Sequence, residues 1–389
     1  MIQTNAAFTF PPLPTQIVLG FGVLLQLPEK VSELGGGKVL LVTDKGIVKS
    51  GIAGRIQEIL ESAGKGVVLY DEVPQDSSSG VIERGAARLN ESGCSVVVGV
   101  GGGSSLDTAK AIAIMATNAP PITQYAGLNK VKNPPLPVIA IPTAAGTGSE
   151  VTYWAVLTND ADRVKTSVGG QAVFPKVALC DPELTVGLPP FLTATTGMDA
   201  LTHAIESYVN TSYQPISSVL TLEAIRLIGR YLERAVANGN DREARYGMLL
   251  GSVMAAVGMN PTRLGIVHAL AMPLGSWELK IPHGTGNAVL LPRVMEYNVS
   301  AAPEIYAEVA RALGIRTDGM KTVDAAQAAV DRVKEIVAKI GIPKGLGALG
   351  LTKERIPAVC EEAMKSGNIP VNPRQVGLKE LAELCERAL

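Results

Sequence analysis

From its N-terminus the chain sets short, almost wholly apolar runs between amphipathic stretches. KVLLVT (38–43), GVVLY (66–70), SVVVGV (95–100) and PVIAIP (137–142) are near-continuously apolar rather than alternating. Strands covered on both faces read this way, so these four predict a buried parallel sheet. Between them, IAGRIQEILESAG and GVIERGAARLNESG carry apolar residues at helical spacing. Repeated strand–helix units predict an open, doubly wound, Rossmann-like sheet. The segment 181–190, DPELTVGLPP, reads as a hinge. After it strand signals nearly vanish, and ISSVLTLEAIRLIGRYLERAVAN and AAQAAVDRVKEIVAKIG predict helices. The expected division is an α/β dinucleotide-binding domain over 1–185 and an all-α domain over 186–389. The Pro-rich stretch 118–137 reads as a long connection inside the first domain.

Composition narrows the field. Of 389 residues 47% are apolar and 18% charged, which supports a large core and argues against disorder. A formal net charge of −1 offers no basic field for nucleic acid or an anionic membrane, so a small molecule is the expected partner. Cys94, Cys180, Cys360 and Cys385 form no CxxC pair and predict free thiols in a reducing compartment. The opening MIQTNAAFTFPPLP has no basic region followed by an apolar one, and no run is long enough to span a bilayer. A cytoplasmic protein is expected.

Two turns point to a phosphate-bearing ligand. The third strand runs into Gly101-Gly102-Gly103-Ser104-Ser105-Leu106-Asp107, and a helix follows. Glycines let the backbone approach a ligand, and the helix start offers free N–H groups and a positive dipole end. Ser104 is expected to cap that helix, with Asp107 completing a capping box. The pattern lacks the third glycine of the dinucleotide fingerprint and the acid about twenty residues beyond. An acid lies upstream instead: Asp44, at the end of the first strand, suits ribose hydroxyls and would repel a 2′-phosphate, favouring NAD(H) over NADP(H). The second turn, IPTAAGTGSE (141–150), also follows a strand. Turns at the ends of adjacent parallel strands form the crevice where open α/β sheets bind ligands. The bland alternatives are an ordinary strand-to-helix turn and a turn aspartate.

The chain has only three histidines. His203 follows Asp199 by four positions, so on a helix both leave one face. His268 lies in the helical pattern RLGIVHALAMPLG, and His283, between Pro282 and Gly284, reads as a turn residue. Any one of them alone reads as a satisfied core histidine. Together the four suit a divalent transition ion, with Fe²⁺, Zn²⁺ and Mn²⁺ all compatible with N and O ligands.

GGGSSLDTAK, IPTAAGTGSEVT, GMDALTHAIESY and HALAMPLGSWELKIPHG, in this order and with DPELT and NPRQ beside them, resemble the iron-containing (group III metal-dependent) alcohol dehydrogenase family over nearly the whole chain. The resemblance implies an N-terminal dinucleotide domain, a C-terminal helical domain and a metal in the cleft between them. It implies Asp199, His203, His268 and His283 as ligands of one ion, most often iron. It implies cofactor contacts at Asp44, Gly102, Gly103, Ser104, Asp107, Thr143, Thr147 and Lys165. It also implies a homodimer or larger homo-oligomer, and hydride exchange between a nicotinamide and a small alcohol or aldehyde.

The chain departs from that family in three places. Met272 stands where relatives carry a second histidine four residues after His268, and a thioether cannot relay a proton. The segment between His268 and His283 is one residue longer than in many relatives, which bears on the pocket wall at Ser276, Trp277 and Glu278. Arg263 stands where a small residue is common. In a pocket it would suit an anionic substrate; its structural alternative is an arginine bound to a helix-end carbonyl. Trp154 either narrows the pocket or packs in the core. Two other activities fit this architecture: a hydroxyacid–oxoacid transhydrogenase that retains NAD, and a dehydroquinate synthase-type lyase. The order Asp–His…His…His favours the dehydrogenase.

Overall fold

The computed structural model describes residues 8–212, 214–276 and 279–389. They form two compact units. One is Leu13–Leu188; the other is Pro189–Leu389 together with the described residues ahead of Leu13.

The first unit is built on nine strands: β1 (Gln16–Leu19), β2 (Lys38–Val42), β3 (Gly66–Tyr70), β4 (Val96–Gly101), β5 (Gly127–Leu128), β6 (Val138–Pro142), β7 (Trp154–Thr158), β8 (Lys165–Gly169) and β9 (Val177–Cys180). Six make one all-parallel sheet in the order β1-β9-β6-β4-β2-β3. Alternation along the strands feeds two cores. Leu40, Val42 and Val97 face one, with the helices Ser79–Ser92 and Gly103–Met115. Val39, Leu41, Val96, Val98 and Val100 face the other, with Leu27, Val31, Ile56 and Leu60. Burial on both faces is why these strands read as unbroken apolar runs. The helix Gly103–Met115 is buried from Leu106 onward except at Asp107, so it too is apolar nearly all round.

β3 lies on one side of β2 and β4 on the other, so the chain reverses direction across the sheet between β2 and β4. The carboxyl end of such a switch point is where open sheets hold ligands. The register brings Val42 level with Gly99 and Gly101 level with Pro142. The residues that follow β2, β4 and β6 therefore emerge on one edge. The remaining three strands form a small sheet, β5-β8-β7, in which β7 and β8 pair antiparallel.

The second unit is helical, with no strand among its described residues. Pro190–Val209 is its central helix. It starts on Pro190, where a missing N–H costs nothing, and it buries fifteen of its twenty residues. Pro215–Ala237 and Arg242–Thr262 pack against it and each other. Ile266–Ser276 and His283–Asn298 follow and pack together. No helix among the described residues is long and apolar enough to cross a membrane. All four cysteines are free and buried.

Candidate metal centre and cofactor turns

At the switch point Asp44 follows β2 and caps the helix Lys45–Lys49. Its Oδ1 accepts from the backbone N–H of Gly46 at 2.8 Å and of Ile47 at 3.0 Å. Its Oδ2 accepts from the Ser105 hydroxyl at 3.1 Å. A carboxylate has about four acceptor positions, so one near Oδ2 stays available to a ligand hydroxyl.

The glycine turn after β4 differs from expectation in its cap. The N-cap of Gly103–Met115 is Gly102, with no side-chain cap bond, and the box between Ser104 and Asp107 does not form. Ser104 lies inside the first turn, where its hydroxyl accepts from the Asp76 N–H at 3.2 Å. The correction leaves the first-turn amides without a side-chain partner, which is what an anion at a helix start requires. Asp107 joins the two turns: it accepts from the Ser149 hydroxyl at 2.5 Å and from the Val156 N–H at 3.1 Å. It also pairs with Lys110 at 3.1 Å. Thr143 follows β6, buried, and its N–H donates to Gly101 O at 3.1 Å. The Thr147 hydroxyl accepts from the Ser149 N–H at 3.3 Å. Lys165 begins β8 and donates to Asp76 Oδ1 at 2.7 Å. Gly102, Gly103, Ser104, Thr143 and Thr147 thus lie at two turns on adjacent strand ends, and Asp107, inside the helix that follows the first, bonds to the second. Lys165 joins them through Asp76.

The second turn ends on a buried acid. Glu150 is 2% exposed, and burial pushes its carboxyl up to about 7, with Lys110 opposing the rise. Lys110 is itself pulled down by burial; it donates to Trp154 O at 2.6 Å and Thr152 O at 3.3 Å. Between pH 4.5 and 7 the folded chain keeps on Glu150 a proton that the unfolded chain releases, so stability falls as pH rises through that window. Against Glu150→Gln, the wild type is expected to lose up to about 3 kcal/mol across it in urea unfolding. Parallel stability curves for the two proteins would refute this.

Trp154 lies across Gly169, its register partner on β8; a Cβ there would fall 2.3 Å from the indole. That is the packing alternative.

In the helical unit Asp199, His203 and Glu206 lie at i, i+4 and i+7 on Pro190–Val209, one face of one helix. His268 is in the first turn of Ile266–Ser276. His283 opens the helix His283–Asn298 rather than sitting in a turn, because Pro282 serves as N-cap and leaves the following residues helical. The Nε2 atoms of His203, His268 and His283 stand 3.7, 3.6 and 3.7 Å from Asp199 Oδ1. Donors bonded to one tetrahedral ion at about 2.1 Å stand about 3.5 Å apart, so these side chains fit a shared first-row cation. Asp199, His268 and His283 form the tighter group, with all ligand atoms within 4.8 Å of one another. His203 joins through Asp199, its ring stacked on His268 at 4.6 Å.

A second observation supports the fit. The Asn287 Nδ2 donates to Asp199 Oδ1 at 2.6 Å and lies 3.1 Å from His268 Nε2 and 3.2 Å from His283 Nε2. One amide nitrogen thus lies within hydrogen-bond distance of all three atoms. Burial opposes ionisation of Asp199, but the three imidazoles outweigh it and hold the carboxyl well below its usual range. Burial likewise favours neutral His268, yet Asp199 and Glu206 raise it to about 9. Such an imidazole surrenders its proton to a cation, so ion affinity rises with pH.

Asn287 and Glu206 escaped the sequence reading. The signals were present: Asn287 is one turn after His283, and Glu206 is the only acid in the apolar run after His203. Met272, half-buried, is one turn after His268. Trp277 and Glu278 lie outside the described residues, as does the Ser276 side chain.

Arg263 is exposed. It terminates Arg242–Thr262 at a φ of 66°, and its guanidinium donates to Gly367 O at 3.2 Å. That bond is the structural alternative. Arg263→Ala is expected to leave unchanged the ratio of kcat/KM for an acidic aldehyde to that for a neutral one of equal size. A selective loss on the acidic aldehyde would instead put the guanidinium in the substrate pocket.

Comparison with known proteins bears on both units. Residues 14–182 match the family described as iron-containing alcohol dehydrogenase, and residues 193–389 match its C-terminal region. The chain is 40% identical over 378 residues to 1,3-propanediol dehydrogenase of Citrobacter freundii, covering 97% of each chain. A crystal structure of 1,3-propanediol oxidoreductase superposes with a TM-score of 0.96 at 39% identity, covering 98% of this chain and all of that one. Sulfoacetaldehyde reductase from Bifidobacterium kashiwanohense, solved with NAD⁺, superposes with a TM-score of 0.88 at 31% identity, covering 98% of this chain and 99% of that one.

Proposed function

The chain belongs to the iron-containing alcohol dehydrogenase family and is an oxidoreductase of that class, and from this premise we propose that it interconverts a small alcohol and its aldehyde with NAD(H). The observation that carries the reading is the convergence of three imidazole nitrogens on one buried carboxylate oxygen. We assign Asp199, His203, His268 and His283 as ligands of one divalent ion, Fe²⁺ before Zn²⁺ or Mn²⁺. When bound, that ion supplies Lewis acidity toward the alcohol or carbonyl oxygen, and the nicotinamide supplies or accepts the hydride.

The residues of the chain do the rest. Asp199 is the anionic member of the proposed ligand set and presents Oδ1 to the imidazoles, while Asn287 keeps that oxygen in place. The amides at the start of Gly103–Met115 suit a pyrophosphate. Asp44, with an acceptor position open, favours a ribose hydroxyl over a 2′-phosphate, which supports NAD(H) over NADP(H). Met272 has no titratable proton, so the proton accompanying hydride transfer does not pass through it. A small uncharged or singly anionic aldehyde fits the range of the relatives, which include a 1,3-propanediol dehydrogenase and a sulfoacetaldehyde reductase. A homo-oligomer in the cytoplasm completes the reading.

The test is an aldehyde panel with NADH and NADPH on metal-stripped full-length protein, restored with Fe²⁺, Zn²⁺ or Mn²⁺ in turn. Ion-dependent NADH oxidation is expected. Full activity after exhaustive chelation would remove the metal reading. Hydride passing between two substrates without net NADH would replace the dehydrogenase with the transhydrogenase.

A further inference from the structure

Behind His268 lies a carboxylate with no place in the ligand set. Glu206 is 3% exposed, and its Oε2 is 2.6 Å from His268 Nδ1. Its Oε1 accepts from the Val267 N–H at 2.7 Å, and Oε2 also meets the His268 N–H at 3.4 Å. Gly265 is the N-cap of this helix, since the Ala269 N–H donates to its carbonyl at 3.1 Å. Gly265 has no side chain to cap with, so a carboxylate from another helix caps the two amides instead. One side chain therefore fixes both the start of the His268 helix and the ring that projects from it.

We propose that Glu206 is a positioning residue for the metal centre: by accepting the His268 Nδ1–H it leaves the lone pair on Nε2 and holds the ring toward Asp199. This rests on the metal reading above. An imidazole can present Nε2 as a donor to an ion only if its proton sits on Nδ1, and a carboxylate, which only accepts, enforces that tautomer. Outer partners of this kind typically contribute 10–100-fold to ion affinity. The local packing is built around the contact. A Cβ at Gly265 would lie 2.7 Å from Glu206 Oε1 and 3.3 Å from Asn372 Oδ1, so only glycine leaves the carboxylate where it is. Asn372 is locked in turn by reciprocal amide bonds with Asn298, at 2.8 and 3.0 Å.

Glu206→Gln keeps the shape but has one oxygen where two now serve three N–H groups. Turning its NH₂ toward His268 would force the proton onto Nε2, and turning it toward Val267 would oppose two N–H groups. Gly265→Ala displaces Glu206 while leaving every charge in place. Zn²⁺ and Co²⁺ affinities of the full-length protein are measured against a chromophoric chelator, with Co²⁺ absorption and NADH titration alongside. Both variants are expected to bind ion 10–100-fold more weakly and to show altered Co²⁺ bands, with NADH affinity within twofold of wild type. Ion affinity within twofold of wild type in the variants that fold would overturn the proposal. So would parallel losses of ion and NADH affinity with a lowered melting temperature, which mark a general structural role. Should Glu206→Gln fail to fold, Gly265→Ala decides alone. A wild type that takes up no stoichiometric ion would overturn the metal reading itself, and this inference with it.

Discussion

Asp199→Ala is expected to leave a folded protein that retains no stoichiometric ion and turns over about a thousandfold more slowly. Its Oδ1 faces all three imidazole nitrogens, at 3.6–3.7 Å, and it also takes the Asn287 amide. Removing it takes away the only anionic ligand and leaves three neutral donors to hold a doubly charged ion in a buried site. Lewis-acid stabilisation is worth several kcal/mol, and each 1.36 kcal/mol is tenfold in rate, so about 4 kcal/mol gives the expected factor. Metal analysis and NADH-linked turnover on one preparation check it. NADH titration separates loss of ion from loss of fold, because the cofactor turns belong to the other unit. Activity within tenfold of wild type would exclude Asp199 as a ligand that matters.

The second large effect is expected at Gly101. It ends β4 at a φ of 140°, a conformation that residues with a side chain rarely adopt. A Cβ there would meet the Ser105 hydroxyl at 2.7 Å and Asp44 Oδ2 at 3.3 Å. Gly101→Ala therefore strains the backbone by about 1–3 kcal/mol and displaces Ser105 from Asp44. On the proposed reading, loss of that bond disturbs at once the acid assigned to the ribose and the turn assigned to the phosphates. NADH should bind roughly 10–100-fold more weakly, while ion content stays at the wild-type level. NADH affinity within twofold of wild type would show that the turn after β4 does not carry the cofactor.

The parts legible in the sequence were those where one physical demand dominates. β2, β3, β4 and β6 were plain because strands buried on both faces become apolar runs. β1 was missed because it is a half-exposed edge strand next to a Pro-rich stretch, and β9 because four residues carry little pattern. β7 and β8 form a hairpin whose signal lay in the turn NDADR rather than in apolar periodicity. The convergence of Asp199 with the three histidines was readable because the chain spends its few imidazoles in one place. Its supports were not: Glu206 and Asn287 acquire meaning only once three helices bring them to His268 and Asp199. His283 misled for a local reason, since Pro before and Gly after a residue mark a turn as readily as a helix start. The Ser104 cap failed because a glycine two residues earlier took the position.

The face of Pro190–Val209 that presents Asp199, His203 and Glu206 is buried, where an ordinary core helix would place Leu or Met. Exchanging such interior polar groups for well-packed hydrocarbon is often neutral or stabilising by about 1–4 kcal/mol. On the proposed reading, this helix therefore concedes thermal robustness to chemistry. Screens that select only for heat resistance, or consensus schemes weighted toward a greasier interior, will drift toward sturdy but inert variants at these three positions, and should hold them constant.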